Sequence, residues 1–162
     1  MIGRQGPEDH GDWRFAVDPG DIVLQAGRPV LVTPPGIDHL SSKRVIIAWK
    51  DTREARRAVR DALPFLRDAE EVFIVTIGDS ATNAGALDVC DYLDAHGIKA
   101  ETRPHTRREI TAADAVIEVA DQAGADLIVA AAYGHSRTRE WTFGGVTRDL
   151  LDYSPVCCFM AH

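Results

Sequence analysis

The stretch from Ala131 to Thr147 holds residue types that bind anions. Gly134 lets the backbone turn tightly, and Gly144-Gly145 precede a helical pattern. Free amides at a helix N-terminus, together with the helix dipole, favour an anion such as phosphate. From Tyr133 to Arg148 there are three arginines against one glutamate, in a chain whose net charge is −7. A basic loop on an acidic body suits an anion site, although a solvated, glycine-punctuated loop would carry the same residues. Ser136 lies in Gly134-His135-Ser136-Arg137-Thr138. That string lacks the second glycine of a nucleophile elbow, so Ser136 reads as a loop hydroxyl. The six histidines show no paired ligand spacing, which argues against a dedicated metal site. Nothing marks a general base positioned for an attacking water, so a slow hydrolytic activity ranks last among the functions considered.

These residues need a scaffold, and from Lys43 onward the pattern alternates strand and helix. Arg44–Trp49, Val72–Ile77 and Asp126–Ala131 are apolar runs of buried-strand length. Val156–Met160 is a fifth strand, and Ile98–Arg103 alternates as an edge strand does. Helices are expected over 52–67, 84–96, 109–123 and 145–153. Their inward positions would be Ala55, Ala58, Val59, Ala62, Leu63 and Leu66 in the first helix, and Leu87, Cys90 and Leu93 in the second. In the third they would be Ile110, Ala113, Ile117 and Ala120, and in the last Val146, Leu150 and Tyr153. Asp51, three residues before Glu54, resembles a helix start. Pro64 should kink or shorten the first helix, and Gly97 should end the second. Five strands alternating with four helices predict an α/β, doubly wound parallel sheet with right-handed crossovers. Such sheets bind ligands beyond the C-terminal strand ends, where the strand order reverses.

Residues 1–40 break this rhythm. They offer one short helical piece, Ile22–Ala26, and one strand, Pro29–Thr33. Two short strings echo the C-terminus. Arg28-Pro29-Val30-Leu31-Val32 resembles Ser154-Pro155-Val156-Cys157-Cys158 at an offset of 126, and Gly3–Gly6 resembles Ala131–Gly134 at 128. An offset near one domain length suggests a tandem repeat. Residues 1–40 would then be the remnant of a preceding copy, and 41–162 a domain.

The chain has 162 residues, of which 45% are hydrophobic and 27% charged, enough for one sizeable core and unlike a disordered chain. Its acidity argues against general nucleic-acid or membrane-surface binding. No 18-residue apolar run spans a membrane, and the first residues lack a signal-peptide core. Three cysteines, Cys90, Cys157 and Cys158, do not form a disulfide framework. They point to buried thiols in a reducing cytoplasm.

The spacing Ala131-x2-Gly134-x9-Gly144-Gly145, followed by Val146-Thr147, resembles the nucleotide loop of the universal stress protein family, Gly-x2-Gly-x9-Gly-(Ser/Thr). Ala48–Ala55 and Ser154-Pro155-Val156 look like that family too. The resemblance covers residues 43–162 and implies strand order 3-2-1-4-5, the adenine-nucleotide alpha-hydrolase-like fold of that family. It also implies a stress-response function, an adenine nucleotide such as ATP as ligand, and site residues Lys50, Asp51, Ile77, Ala131, Gly134, Ser136, Gly144, Gly145, Val146 and Thr147. Three departures weaken the implied site. Ala131 replaces a glycine, so its methyl group would crowd the ligand. Gly145 replaces a hydroxyl residue. Lys50-Asp51-Thr52 stands where nucleotide-binding members resemble Asp-x-Ser, so the carboxylate implied to meet the ribose is replaced by Lys50 or shifted to Asp51. Binding is therefore expected to be weak or absent, and the competing reading is a non-nucleotide dimerisation or interaction module. Family members are similar in covering the fifth-strand edge with an equivalent strand. The expectation is a homodimer in which residues 29–33 pair with 156–160, within the chain or exchanged between two chains.

Overall fold

A computed structural model describes residues 1–4, 18–78, 85–106, 110–132 and 144–162. The strands are β1 (Ile2–Gly3), β2 (Val30–Thr33), β3 (Arg44–Trp49), β4 (Glu71–Ile77), β5 (Glu101–His105), β6 (Leu127–Ala131) and β7 (Cys157–Ala161). The helices are α1 (Pro19–Gln25), α2 (Arg53–Asp68), α3 (Ala86–Asp94), α4 (Ala112–Ala123) and α5 (Gly145–Tyr153).

One seven-stranded sheet runs in the order β1-β2-β7-β6-β3-β4-β5. The stretch β5-β4-β3-β6-β7 is the expected order 3-2-1-4-5, parallel throughout. Two more strands enlarge the five-stranded sheet. β2 pairs antiparallel with β7, with Val30 opposite Met160, Leu31 opposite Phe159 and Val32 opposite Cys158. β1 lies parallel outside β2. The fifth-strand edge is thus covered from within the chain, leaving no bare apolar edge on β7.

Alternate strand residues feed two cores. Val45, Ile47, Trp49, Ile74, Val129, Cys157 and Phe159 lie with α2 and α3. Ile46, Phe73, Val75, Ile128, Cys158 and Met160 lie with α1, α4 and α5. Cys157 and Cys158 accordingly face opposite layers, both buried. Cys90 is only half-buried.

Several helix details depart from the periodicity reading. Thr52, not Asp51, caps α2, its Oγ1 accepting from Ala55 N. α2 continues to Asp68, four residues past Pro64. Pro64 is exposed, so water can reach the Arg60 carbonyl that its missing N–H leaves free. In α3 the buried stripe is Ala86, Val89 and Leu93, and Leu87 is 70% exposed. In α4 it is Ala113, Ala115, Val116, Val119 and Ala120. In α5 Thr147 and Leu151 join Leu150 inside, while Tyr153 is exposed and donates to Asp114 Oδ1 at 3.1 Å. Each shift is a rotation of one or two positions, which small residues such as alanine do not resolve in sequence. The edge strand β5 begins three residues later than read, because Ile98 closes the α3 terminus by donating to Leu93 O.

The linker before β3 is pinned at Asp126. Its carboxylate accepts from Ser41 Oγ, Lys43 N and Arg44 N. At the other end of α5, Arg4 donates to the carbonyls of Leu151 and Ser154, tying β1 to the last helix.

Candidate functional site

The strand order reverses at β3, between β4 and β6. At the C-terminal ends of these strands lie the predicted residues Ile77 and Ala131, the last of β4 and β6, and Lys50, the first past β3. Trp49 is level with Thr76 of β4, and Ala48 with Ala130 of β6. Lys50 is exposed, and Ile77 is half-buried at the last position of β4. Ala131 is 5% exposed and belongs to the core under α2 and α3. Its methyl group is therefore packed away rather than presented to solvent.

The first turn of α5 follows. Gly144 is its N-cap, with φ −62° and ψ 143° and no side-chain cap hydrogen bond. Among the described residues, a Cβ placed on Gly145 would meet nothing within 4 Å, at the position where a hydroxyl residue was expected. Val146 is half-buried. Thr147 is 1% exposed, and its Oγ1 donates to Ala131 O at 3.3 Å. That bond fixes the start of α5 against the end of β6. Gly134 and Ser136 lie outside the described residues.

Asp51 is taken up by structure. It accepts both Nε and Nη2 of Arg56, at 3.0 and 2.6 Å. It also lies against Gly85, which precedes α3 with φ +84°. A Cβ at Gly85 would come within 2.8 Å of Asp51 Oδ2. Glycine is required there both by the backbone and by the carboxylate. Arg56 in turn lies 5.6 Å from the Trp49 ring centroid. Two buried nitrogens at this end of the sheet, Trp49 Nε1 and His105 Nε2, have no hydrogen-bond partner among the described residues. The Trp49–Arg56–Asp51–Gly85 cluster was missed in the sequence. Its only signal was an aspartate five residues before an arginine, which is common on any helix start.

Among the described residues, no group of three or more His, Cys, Asp or Glu could hold a metal ion. None of the described helices is long and apolar enough to cross a membrane.

Residues 79–162 match the model of the universal stress protein family. The chain belongs to that family. No curated protein sequence matches the chain. Among solved structures it is similar to a universal stress protein from Archaeoglobus fulgidus DSM 4304, at 20% identity and TM-score 0.66, over 82% of this chain and 50% of that one. The chain thus spans half the length of that protein. A second universal stress protein from Archaeoglobus fulgidus is 25% identical with TM-score 0.54, over 72% of this chain and 96% of that one. A universal stress protein structure from the same organism, in complex with dAMP, is 21% identical with TM-score 0.51, over 76% and 99% of the two chains. The α/β class read from the strand rhythm is that of the family.

Proposed function

We propose that the chain is a cytoplasmic, regulatory stress-response domain that binds an adenine nucleotide weakly at the C-terminal ends of β3 and β6. The observation that carries this reading is the first turn of α5 held beside the switch point by the Thr147–Ala131 bond. The first-turn amides of Gly145 and Val146, which have no acceptor within the helix, suit a phosphate, with Gly134 and Ser136 between β6 and α5 in sequence. Lys50 offers a positive charge at the end of β3, and Ile77 a backbone edge for the base. A relative's complex with dAMP supports the ligand class.

The same geometry accounts for weakness. Asp51 is held by Arg56 and so is withdrawn from a ribose. Thr147 spends its proton on Ala131, which makes it a positioning residue. Titration with adenosine, AMP and ATP tests the reading. ATP should bind more tightly than adenosine, because α5 amides act on phosphate. Equal affinities would contradict it.

The second reading, an interaction module, is favoured by the β2–β7 ladder. In one chain that contact closes internally. A homodimer at this edge therefore takes a strand-exchanged form, with residues 29–33 of one chain on 156–160 of the other. The segment 34–43 spans up to roughly 35 Å when extended, enough for either route. Light scattering across a concentration series separates the two forms.

A further inference from the structure

α5 has nine residues, too few for a helix to hold its shape in water without tertiary contacts. Its position is set by what it is fastened to. At the head, Thr147 Oγ1 donates to Ala131 O, and Arg148 N closes the first turn on Gly144 O at 3.2 Å. Along the inner face Leu150 and Leu151 are buried. At the tail, Tyr153 donates to Asp114 from an exposed position, and Ser154 N bonds Leu150 O. The last carbonyls of a helix have no donor of their own, and a cation suits them because the dipole is negative there. α5 carries no basic residue in its last turn.

The cation comes from the far end of the sequence. Arg4 donates through Nη1 to Leu151 O at 3.3 Å and through Nη2 to Ser154 O. Arg4 follows β1, a strand of only two residues. β1 is joined to β2 by Arg4 N donating to Thr33 O at 2.9 Å and Thr33 Oγ1 donating to Ile2 O at 3.3 Å. So short an edge strand opens easily by itself, and the guanidinium adds two charge-assisted bonds to it. One side chain thus completes the tail of α5 and fastens the N-terminal strand.

We propose that Arg4 is a positioning residue for the phosphate position at the head of α5, so that ligand bound at the head and β1 docked at the tail strengthen each other. The ligand half of this coupling rests on the nucleotide reading above. A helix held at both ends presents its first-turn amides already ordered, and a ligand then has less ordering to supply. Direct attraction between Arg4 and a bound phosphate is the alternative cause. α5 is about 13 Å long at 1.5 Å per residue, and physiological salt screens exposed charges beyond about 8 Å. The coupling therefore runs through the helix. Arg4→Lys separates the two causes, because it keeps the charge and loses the planar fork that reaches both carbonyls.

The test is amide hydrogen exchange on the intact chain and on its Arg4→Met and Arg4→Lys variants, with ATP titrations of all three. Without ligand, the Arg148 and Ser154 amides should exchange at least about fivefold faster in both variants, while the amides of β3 keep their rates. In the wild type, saturating ATP should slow exchange of the Arg4 amide by about fivefold. Because coupling is reciprocal, Arg4→Met should weaken ATP binding by the same factor, and Arg4→Lys should weaken it as much. The wild-type measurement stands even where a variant does not fold. An Arg148 amide unchanged in both variants overturns the proposal. So does ATP binding that leaves the Arg4 amide of the wild type unchanged, or full affinity in Arg4→Lys. A wild type that binds no ATP, with Arg148 quickened in the variants, refutes the nucleotide reading and supports the linkage of tail to head.

Discussion

Asp51 Oδ2 and Gly85 approach so closely that a Cβ on the glycine would lie 2.8 Å from the oxygen. The contact joins the start of α2 to the start of α3 and leaves Asp51 bound to Arg56. This carboxylate is therefore held by structure, and beside it Lys50 is exposed just past the end of β3.

Gly85→Ala should be destabilising beyond its backbone cost. Gly97 gives the comparison: its φ is +77°, but nothing lies within 4 Å of an added Cβ. Gly97→Ala should cost about 1–2 kcal/mol for the left-handed backbone alone. Gly85→Ala should cost more, and adding Asp51→Ala should recover the excess. Urea unfolding of the three variants checks this; equal losses for the two glycines would refute the contact.

Thr147→Val keeps the shape of the side chain but removes the donor to Ala131 O. With both residues buried, the loss should be roughly 0.5–1.5 kcal/mol. Phosphate-bearing ligands should weaken as the start of α5 loosens. Unchanged thermal stability would show that the bond does not anchor the helix.

Burial pushes the Cys158 thiol up to about 11 and raises Cys157 and Cys90 as well. A raised native pKa means the unfolded thiol ionises first. The contribution of Cys158 is whole below the ordinary thiol range and is lost as pH rises to about 11. On the order of 2–3 kcal/mol is at stake. Cys158→Ala should flatten the fall in urea midpoint between pH 8 and pH 10.5. In the native wild type, bulky thiol reagents should label Cys157 and Cys158 slowly and form no vicinal disulfide. Rapid labelling of both without denaturant would contradict their burial.

Much of this architecture was legible because strands buried on both faces read as unbroken apolar runs. β3, β4 and β6 were found within two residues at either end, and the start of α5 was marked by Gly144-Gly145. Helix faces were less legible. Leu87 was assigned inward because it is the large apolar residue of its turn, yet Ala86 and Val89 fill the narrow space against the sheet. The spacing of the glycine loop was visible, but the fates of Asp51 and Thr147 were not. Both are decided by partners distant in sequence: Gly85 for the first, Ala131 for the second.

Removing residues 1–40 should expose β7, whose five residues are all buried in the intact chain. An apolar, uncharged edge invites pairing with another copy. The truncated chain should lose solubility or dimerise through β7, with a lower melting temperature. Light scattering and thermal melts decide it. Unchanged solubility, mass and melting temperature would show that β2 does not protect this edge.

Calorimetric titration with ATP and magnesium, on the intact chain and on a Gly134→Val/Gly144→Val double variant, tests the nucleotide site most directly. The expected result is saturable binding weaker than about 1 μM, worth less than about 8.2 kcal/mol, and lost in the double variant. Submicromolar affinity, or binding that survives both substitutions, would contradict the assignment. No binding at millimolar ATP would leave the interaction module as the function.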